Sequence, residues 1–136
     1  MVVVDASVWV SRFVAGDVHH AVCTRWLGER VSHGQPIVAP AIVLMEVAGA
    51  VSRQTGKPGL AHQAVEGMLQ LGSLRLVALD ASFAELAARL AADLMLRGAD
   101  AAYVAVAYQL GIPLVTLDSE QRKRAGRSIK VDTPRL

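Results

Sequence analysis

The sequence is short of the residues that mark several functional classes. It has a single cysteine, Cys23, in 136 residues, which excludes an internal disulfide and any CxxC metal knuckle and suits a reducing cytoplasm. The four histidines, His19, His20, His33 and His62, show no HxH or HxxxH spacing, so they read as surface or core residues rather than as a zinc set. No apolar run reaches the 18 or so residues of a membrane span. The apolar N-terminus lacks a basic flank and carries Asp5 within it, which argues against a signal peptide. There is no linker, repeat or low-complexity segment. One domain over residues 1–136 is the expectation.

Against these gaps, hydrophobic residues make up 53% of the chain and charged ones only 19%. A composition this apolar leaves room for a partner to cover part of the surface. The net charge of +2 is small but uneven: Arg122, Lys123, Arg124, Arg127, Lys130 and Arg135 crowd the C-terminal end against one acid, Asp132. Such a run is either a solvated terminal helix or a patch for a polyanion such as RNA. Arg122, Lys123 and Arg124 are its candidate phosphate contacts.

The chain is organised around its first stretch, Val2-Val3-Val4-Asp5-Ala6-Ser7. Three β-branched residues without alternation predict a strand buried on both faces, as in a parallel sheet. Further strands are predicted at Pro36–Ala39, Leu74–Leu79, Leu114–Leu117 and Ile129–Val131. Helical patterns fill the intervals, over about 7–14, 18–31, 40–54, 59–71, 82–98 and 100–110, with a short basic helix after Asp118. Val22, Trp26 and Val31 are expected to face inward from the second helix. Pro40 suits a first helical turn, and Ser82 with Glu85 has the form of a capping box. Strands alternating with helices mean a three-layer α/β/α domain on a parallel sheet of four to five strands.

In such a sheet ligands sit beyond the carboxyl ends of the strands, and four acids fall where they could meet there. Asp5 and Asp118 each follow a predicted strand, Asp100 opens a helix after Gly98-Ala99, and Glu46 lies in the apolar segment Ile42–Ala48. Asp5, Asp100 and Asp118 also sit where aspartate caps helices, and Gln121 gives Asp118 the form of an Asp-x-x-Gln box. A cap can still present an oxygen to a metal. A lone ionised Glu46 in an apolar helix needs a partner, either Arg53 two turns on or a cation. Carboxylates brought together repel by several kcal/mol at an effective dielectric of about 20, so convergence calls for a divalent cation. All-oxygen ligands select Mg²⁺ or Mn²⁺ over zinc.

Val-Val-Val-Asp5-Ala-Ser7, Leu-Met-Glu46-Val-Ala, Ala-Asp100-Ala-Ala-Tyr and Leu-Val-Thr116-Leu-Asp118 together resemble the PIN-domain ribonucleases, in particular VapC-type toxins of bacterial toxin–antitoxin pairs. The likeness runs through the whole chain, and four motifs in register carry it. It implies a parallel sheet gathering Asp5, Glu46, Asp100 and Asp118 as catalytic acids, with Asp5, Asp100 and Asp118 ligating the metal. It implies a Mg²⁺-dependent endoribonuclease, the toxin of a type II system, hydrolysing RNA by metal-activated water to leave a 5′-phosphate and a 3′-hydroxyl. A VapB-type antitoxin filling the groove and pairing of two copies into a homodimer are implied as partners. Ser7 and Thr116 are candidate hydrogen-bond donors to the ligating carboxylates. Leu117 stands where the family commonly has a smaller residue.

Two other readings compete with the nuclease. A receiver-type phosphoacceptor domain wants paired acids early and a lysine past the last strand, whereas Asp5 has no acidic neighbour and Lys130 lies within the predicted strand. A non-catalytic binding module would use the acids only as caps. The faces around Trp9, Phe13 and Trp26 are either core or a partner groove.

Overall fold

The computed structural model describes residues 1–135. Among them are five strands and seven helices: β1 (Val2–Val4), α1 (Ala6–Phe13), α2 (His20–Ser32), β2 (Ile37–Pro40), α3 (Val43–Thr55), α4 (Pro58–Leu69), β3 (Leu74–Val77), α5 (Ala81–Leu94), α6 (Gly98–Leu110), β4 (Leu114–Val115), α7 (Ser119–Ala125) and β5 (Val131–Asp132). The sheet is parallel throughout, in the order β3-β2-β1-β4-β5. The chain therefore starts in the middle strand and works outward in two directions.

Every residue of β1 and β2 is buried. A strand buried on both pleat faces must be covered by helices on both sides, which makes the domain a three-layer α/β/α sandwich. The α1–α4 helices pack consecutively or onto one another, and α6 lies against β1, β2 and β4 with α5 outside it. The unalternated run Ala101–Ala107 on α6 is buried from end to end, as expected of a helix caught between sheet and neighbour. The edge strand β3 is half open to solvent.

Local chemistry moved several predicted boundaries. Pro40 ends β2 instead of starting α3; ring closure costs it the amide, and a strand terminus tolerates that loss. The Ser82–Glu85 box does not form: Asp80 is the N-cap of α5, its Oδ1 accepting from the Phe83 amide at 2.8 Å. Asp80→Ala should therefore cost about 1 kcal/mol, a fall in Tm of about 3–5 °C. Ser82→Ala and Glu85→Ala should move it by less than about 2 °C, as measured by thermal denaturation. Helix α5 stops at Leu94, not near Gly98, because Met95 takes a left-handed conformation with φ of 54°. Gly98 is then freed to open α6. In α2 it is Cys23 and Leu27 that are fully inward, while Trp26 and Val31 pack at the margin of the core. Trp9 is buried and Phe13 partly so, which places both in the core. No helix of the described residues is long and apolar enough to cross a membrane.

Candidate active site

Asp5 leaves the carboxyl end of β1 and caps α1, accepting from the Ser7 amide at 3.3 Å. The neighbouring strand β4 pairs Val115 with Val4, which sets Thr116 beside Asp5. The Thr116 and Ser7 hydroxyls lie 2.9 and 2.6 Å from Asp5 Oδ2. All of these hydrogen bonds fall on Oδ2, and among the described residues Oδ1 takes none. Asp118, two residues past Thr116, caps α7: its Oδ1 accepts from the amides of Glu120 and Gln121 at 2.9 and 3.1 Å. Both strand-end aspartates therefore cap the helices that follow them, and Asp118 also lines the cleft beside α1 and α3.

Gln121 differs from expectation. Its side chain does not reach back to close a box on Asp118 but is buried. Its Oε1 lies 2.8 Å from the Thr116 hydroxyl and its Nε2 donates to the Asp100 carbonyl at 3.4 Å. Thr116 has one proton for two acceptors, Asp5 and Gln121, while its oxygen accepts from the Asp118 amide at 3.1 Å. Ser7 closes the far side by accepting from the Leu117 amide at 3.1 Å. Ser7 and Thr116 thus lock the ends of β1 and β4 together around one carboxylate.

Glu46, half-buried on α3, pairs with the hydroxyl of Tyr103 rather than with Arg53: Tyr103 donates to Oε1 at 2.5 Å. Arg53 lines the same cleft but makes no ion pair among the described residues. Asp100 is not a cap. It sits in the first turn of α6, where the helix dipole favours an acid, and Arg97 is the residue at the N-cap position. The Arg97 Nε donates to Asp100 Oδ2 at 2.9 Å, and its second nitrogen lies 3.2 Å from Asp118 Oδ2.

Burial lifts the Asp5 carboxyl above the usual carboxylate range; the Ser7 and Thr116 hydroxyls pull it back, and Asp100 raises it again. Glu46 is likewise raised, first by burial and then by Asp5 and Asp100, with Tyr103 and Arg97 opposing. Tyr103, buried beside these negative charges, is pushed far upward and stays a donor. Asp5, Glu46 and Asp100 therefore act on one another although they come from distant parts of the chain.

Ser7, Glu46, Arg97 and Asp118 line an open cleft of about 780 Å³, with His19 at its wall. Arg97 and Asp118 also line a smaller adjoining depression of about 330 Å³ that includes Asp100. Among the described residues no three His, Cys, Asp or Glu side chains close around a common point as a metal cage. Of the expected ligands, Asp118 lines the main cleft, Asp100 and Asp118 border the adjoining depression with Arg97 spanning the two, and Asp5 is buried. The donor set consists of carboxylate oxygens without histidine or thiolate, which fits a hard divalent cation.

Of the basic residues, Arg124 is engaged, with Glu120 at 3.3 Å and with the Met95 carbonyl. Lys123 and Arg127 are exposed beside it along a shallow depression of about 200 Å³. Arg122 is half-buried on α7. Lys130 lies just before β5, not within it, and pairs with Asp132 at 3.7 Å.

The PIN-domain family model matches residues 2–127. The chain belongs to the PIN-domain family. No curated protein matches it in sequence. Among solved structures the PIN domain is similar to VapC20 of Mycobacterium tuberculosis, a sarcin-ricin loop cleaving toxin, with 23% identity and a TM-score of 0.77 over 90% of this chain and 94% of that one. It is similar also to VapBC2 from Rickettsia felis bound to a promoter DNA fragment, with 17% identity and a TM-score of 0.72 over 98% of both chains. FitAcB from Neisseria gonorrhoeae gives 19% identity and a TM-score of 0.72, again over 98% of both chains. At these identities the likeness to the solved structures is one of fold. A PIN fold sets the receiver-domain reading aside.

Sequence reasoning singled out the four acids and both hydroxyls, gave Gln121 a capping role in place of its contacts to Thr116 and the Asp100 carbonyl, and missed Arg97 and Tyr103, which hold Asp100, Asp118 and Glu46. Arg97 and Tyr103 each stand three residues from Asp100. On a helix that spacing is one turn, a signal that was there to be read.

Proposed function

We propose that this PIN domain is a Mg²⁺- or Mn²⁺-dependent endoribonuclease, the cytoplasmic toxin of a type II toxin–antitoxin system. The observation that carries the reading is a set of acids from distant parts of the chain around one open cleft: Glu46 and Asp118 line it, Asp100 borders the adjoining depression, and the Asp5 and Glu46 carboxyls are raised by burial and by their acidic neighbours. Capping accounts for Asp5 and Asp118 but not for Glu46 and Asp100, and a cation supplies the reason. The similarity to the VapC20 toxin and to the VapBC2 and FitAcB assemblies supports a toxin and a VapB-type antitoxin partner. Two copies would pair into a homodimer, as the family resemblance implies.

Asp5, Asp100 and Asp118 would hold the cation, with Glu46 beside them. Bound there, a divalent cation lowers the pKa of a water and neutralises charge developing on the phosphate. The residues of the chain do the rest. Ser7 and Thr116 fix the Asp5 carboxylate through Oδ2, which leaves Oδ1 for the cation. Tyr103 holds Glu46 by one oxygen, leaving the other to orient an attacking water. Lys123 and Arg127, with Arg122 and Arg124 on the same helix and its end, offer positive charge to the flanking backbone of an RNA strand, which makes binding salt-sensitive.

Cleavage of single-stranded RNA in Mg²⁺, lost in EDTA and lost in Asp100→Asn with an unchanged circular dichroism spectrum, is the expected result. Wild-type Tm should rise on adding Mg²⁺. A Tm indifferent to Mg²⁺, with no cleavage, would instead leave the acids as helix caps on a binding module.

A further inference from the structure

Arg97 stands at the one place where a counter-ion for Asp100 and Asp118 is needed. Its side chain is 78% exposed, so packing does not hold it there. What holds it is its two contacts, at 2.9 Å to Asp100 Oδ2 and 3.2 Å to Asp118 Oδ2. It borders both the main cleft and the adjoining depression, and its charge reaches Glu46 and Asp5 as well. A guanidinium is planar and always charged, and its rigid fork can grip two carboxylates at once with fixed geometry, where an ammonium acts as a compact point charge.

From this geometry we infer that Arg97 is a built-in, exchangeable counter-cation: it holds Asp100 and Asp118 until a divalent cation displaces it. The inference rests on the metal-dependent nuclease reading above and adds a competitor to it. Metal binding is then an exchange of one cation for another rather than the filling of a free cage. The apparent affinity for metal is lowered by the strength of the Arg97 contacts, in the way any competing state lowers an apparent affinity. Because the side chain is exposed, it can swing away without disturbing the core. Arg97 is in this sense a positioning residue that acts through the carboxylates.

Titration calorimetry with Mg²⁺ on the whole chain tests this, using wild type, Arg97→Gln and Arg97→Lys, with thermal denaturation in EDTA alongside. Arg97→Gln should bind Mg²⁺ about tenfold more tightly than wild type, with Arg97→Lys between them. Without metal, Arg97→Gln should melt below wild type, since its acids have lost their counter-ion; with saturating Mg²⁺ the two should converge. If wild type binds Mg²⁺ and Arg97→Gln binds no more tightly, the exchange is overturned while the nuclease reading stands. If neither protein binds Mg²⁺ or Mn²⁺, the metal reading falls and the exchange falls with it.

Discussion

Asp5→Asn should reduce RNA cleavage by about 10³-fold or more, roughly 4 kcal/mol of transition-state stabilisation, and should at the same time raise the Tm of the metal-free protein at pH 7.5. The two effects have one cause. The Asp5 carboxyl is buried, and burial raises it from its ordinary value of 3.8. An acid raised in the folded state contributes its full stability below that ordinary value and loses it as pH rises through the raised one. Glu46 shifts the same way from 4.5. Metal-free wild type should therefore lose stability from these two groups as pH climbs from about 4 toward neutrality. An asparagine can keep its oxygen where Oδ2 accepts from Ser7 and Thr116 while carrying no charge to desolvate. The expected gain is on the order of 3–5 °C at pH 7.5 and smaller at pH 5. Mg²⁺ should raise the wild-type Tm, since it rewards the ionised carboxylate, and should act much less on the variant. An Asp5→Asn protein that melts below wild type at neutral pH would show that the charge is well solvated or already neutralised.

Thr116→Val should be the most damaging substitution of equal size in the domain. The two side chains have nearly the same shape, so no cavity arises. The fully buried hydroxyl, however, serves Asp5 at 2.9 Å, Gln121 at 2.8 Å and the Asp118 amide at 3.1 Å. Removing it strands the buried Gln121 oxygen and the Asp118 N–H, at about 1–3 kcal/mol each. A loss of about 2–4 kcal/mol in chemical denaturation is expected, with a fall in metal affinity of about 10- to 100-fold as Asp5 loses its fixed orientation. Thr116→Ser keeps the hydroxyl and should stay within about 1.5 kcal/mol of wild type. Equal stability of the valine and serine variants would show that the hydroxyl is dispensable.

Much of the fold was readable because it rests on strong local signals. Val2–Val4 could hardly be other than an interior strand, and the aspartates behind β1 and β4 mark the carboxyl edge of a parallel sheet. Glu46 stood out because a carboxylate in an apolar helix demands an explanation. The partner that explains it, Tyr103, was hidden by its setting. In a helix buried on all sides, an aromatic residue reads as core, and nothing in periodicity reveals that its hydroxyl meets a carboxylate from residue 46. Arg97 was hidden for the opposite reason: a charged residue before Gly98 looks like the solvated last turn of the helix expected over 82–98. The Ser82–Glu85 box failed because Asp80 caps the helix two residues earlier, through the Phe83 amide, which places Ser82 inside the first turn. Sequence separates local competitors poorly when two caps lie within one turn.

The order of the strands also bears on when the site can take shape. Asp5 and the threonine that orients it lie 111 residues apart, and β4 must dock against β1 before the two can meet. A polypeptide interrupted between them holds the carboxylate without its clamp. Synthesis of the whole intervening stretch is thus a condition for the aspartate to be set in place.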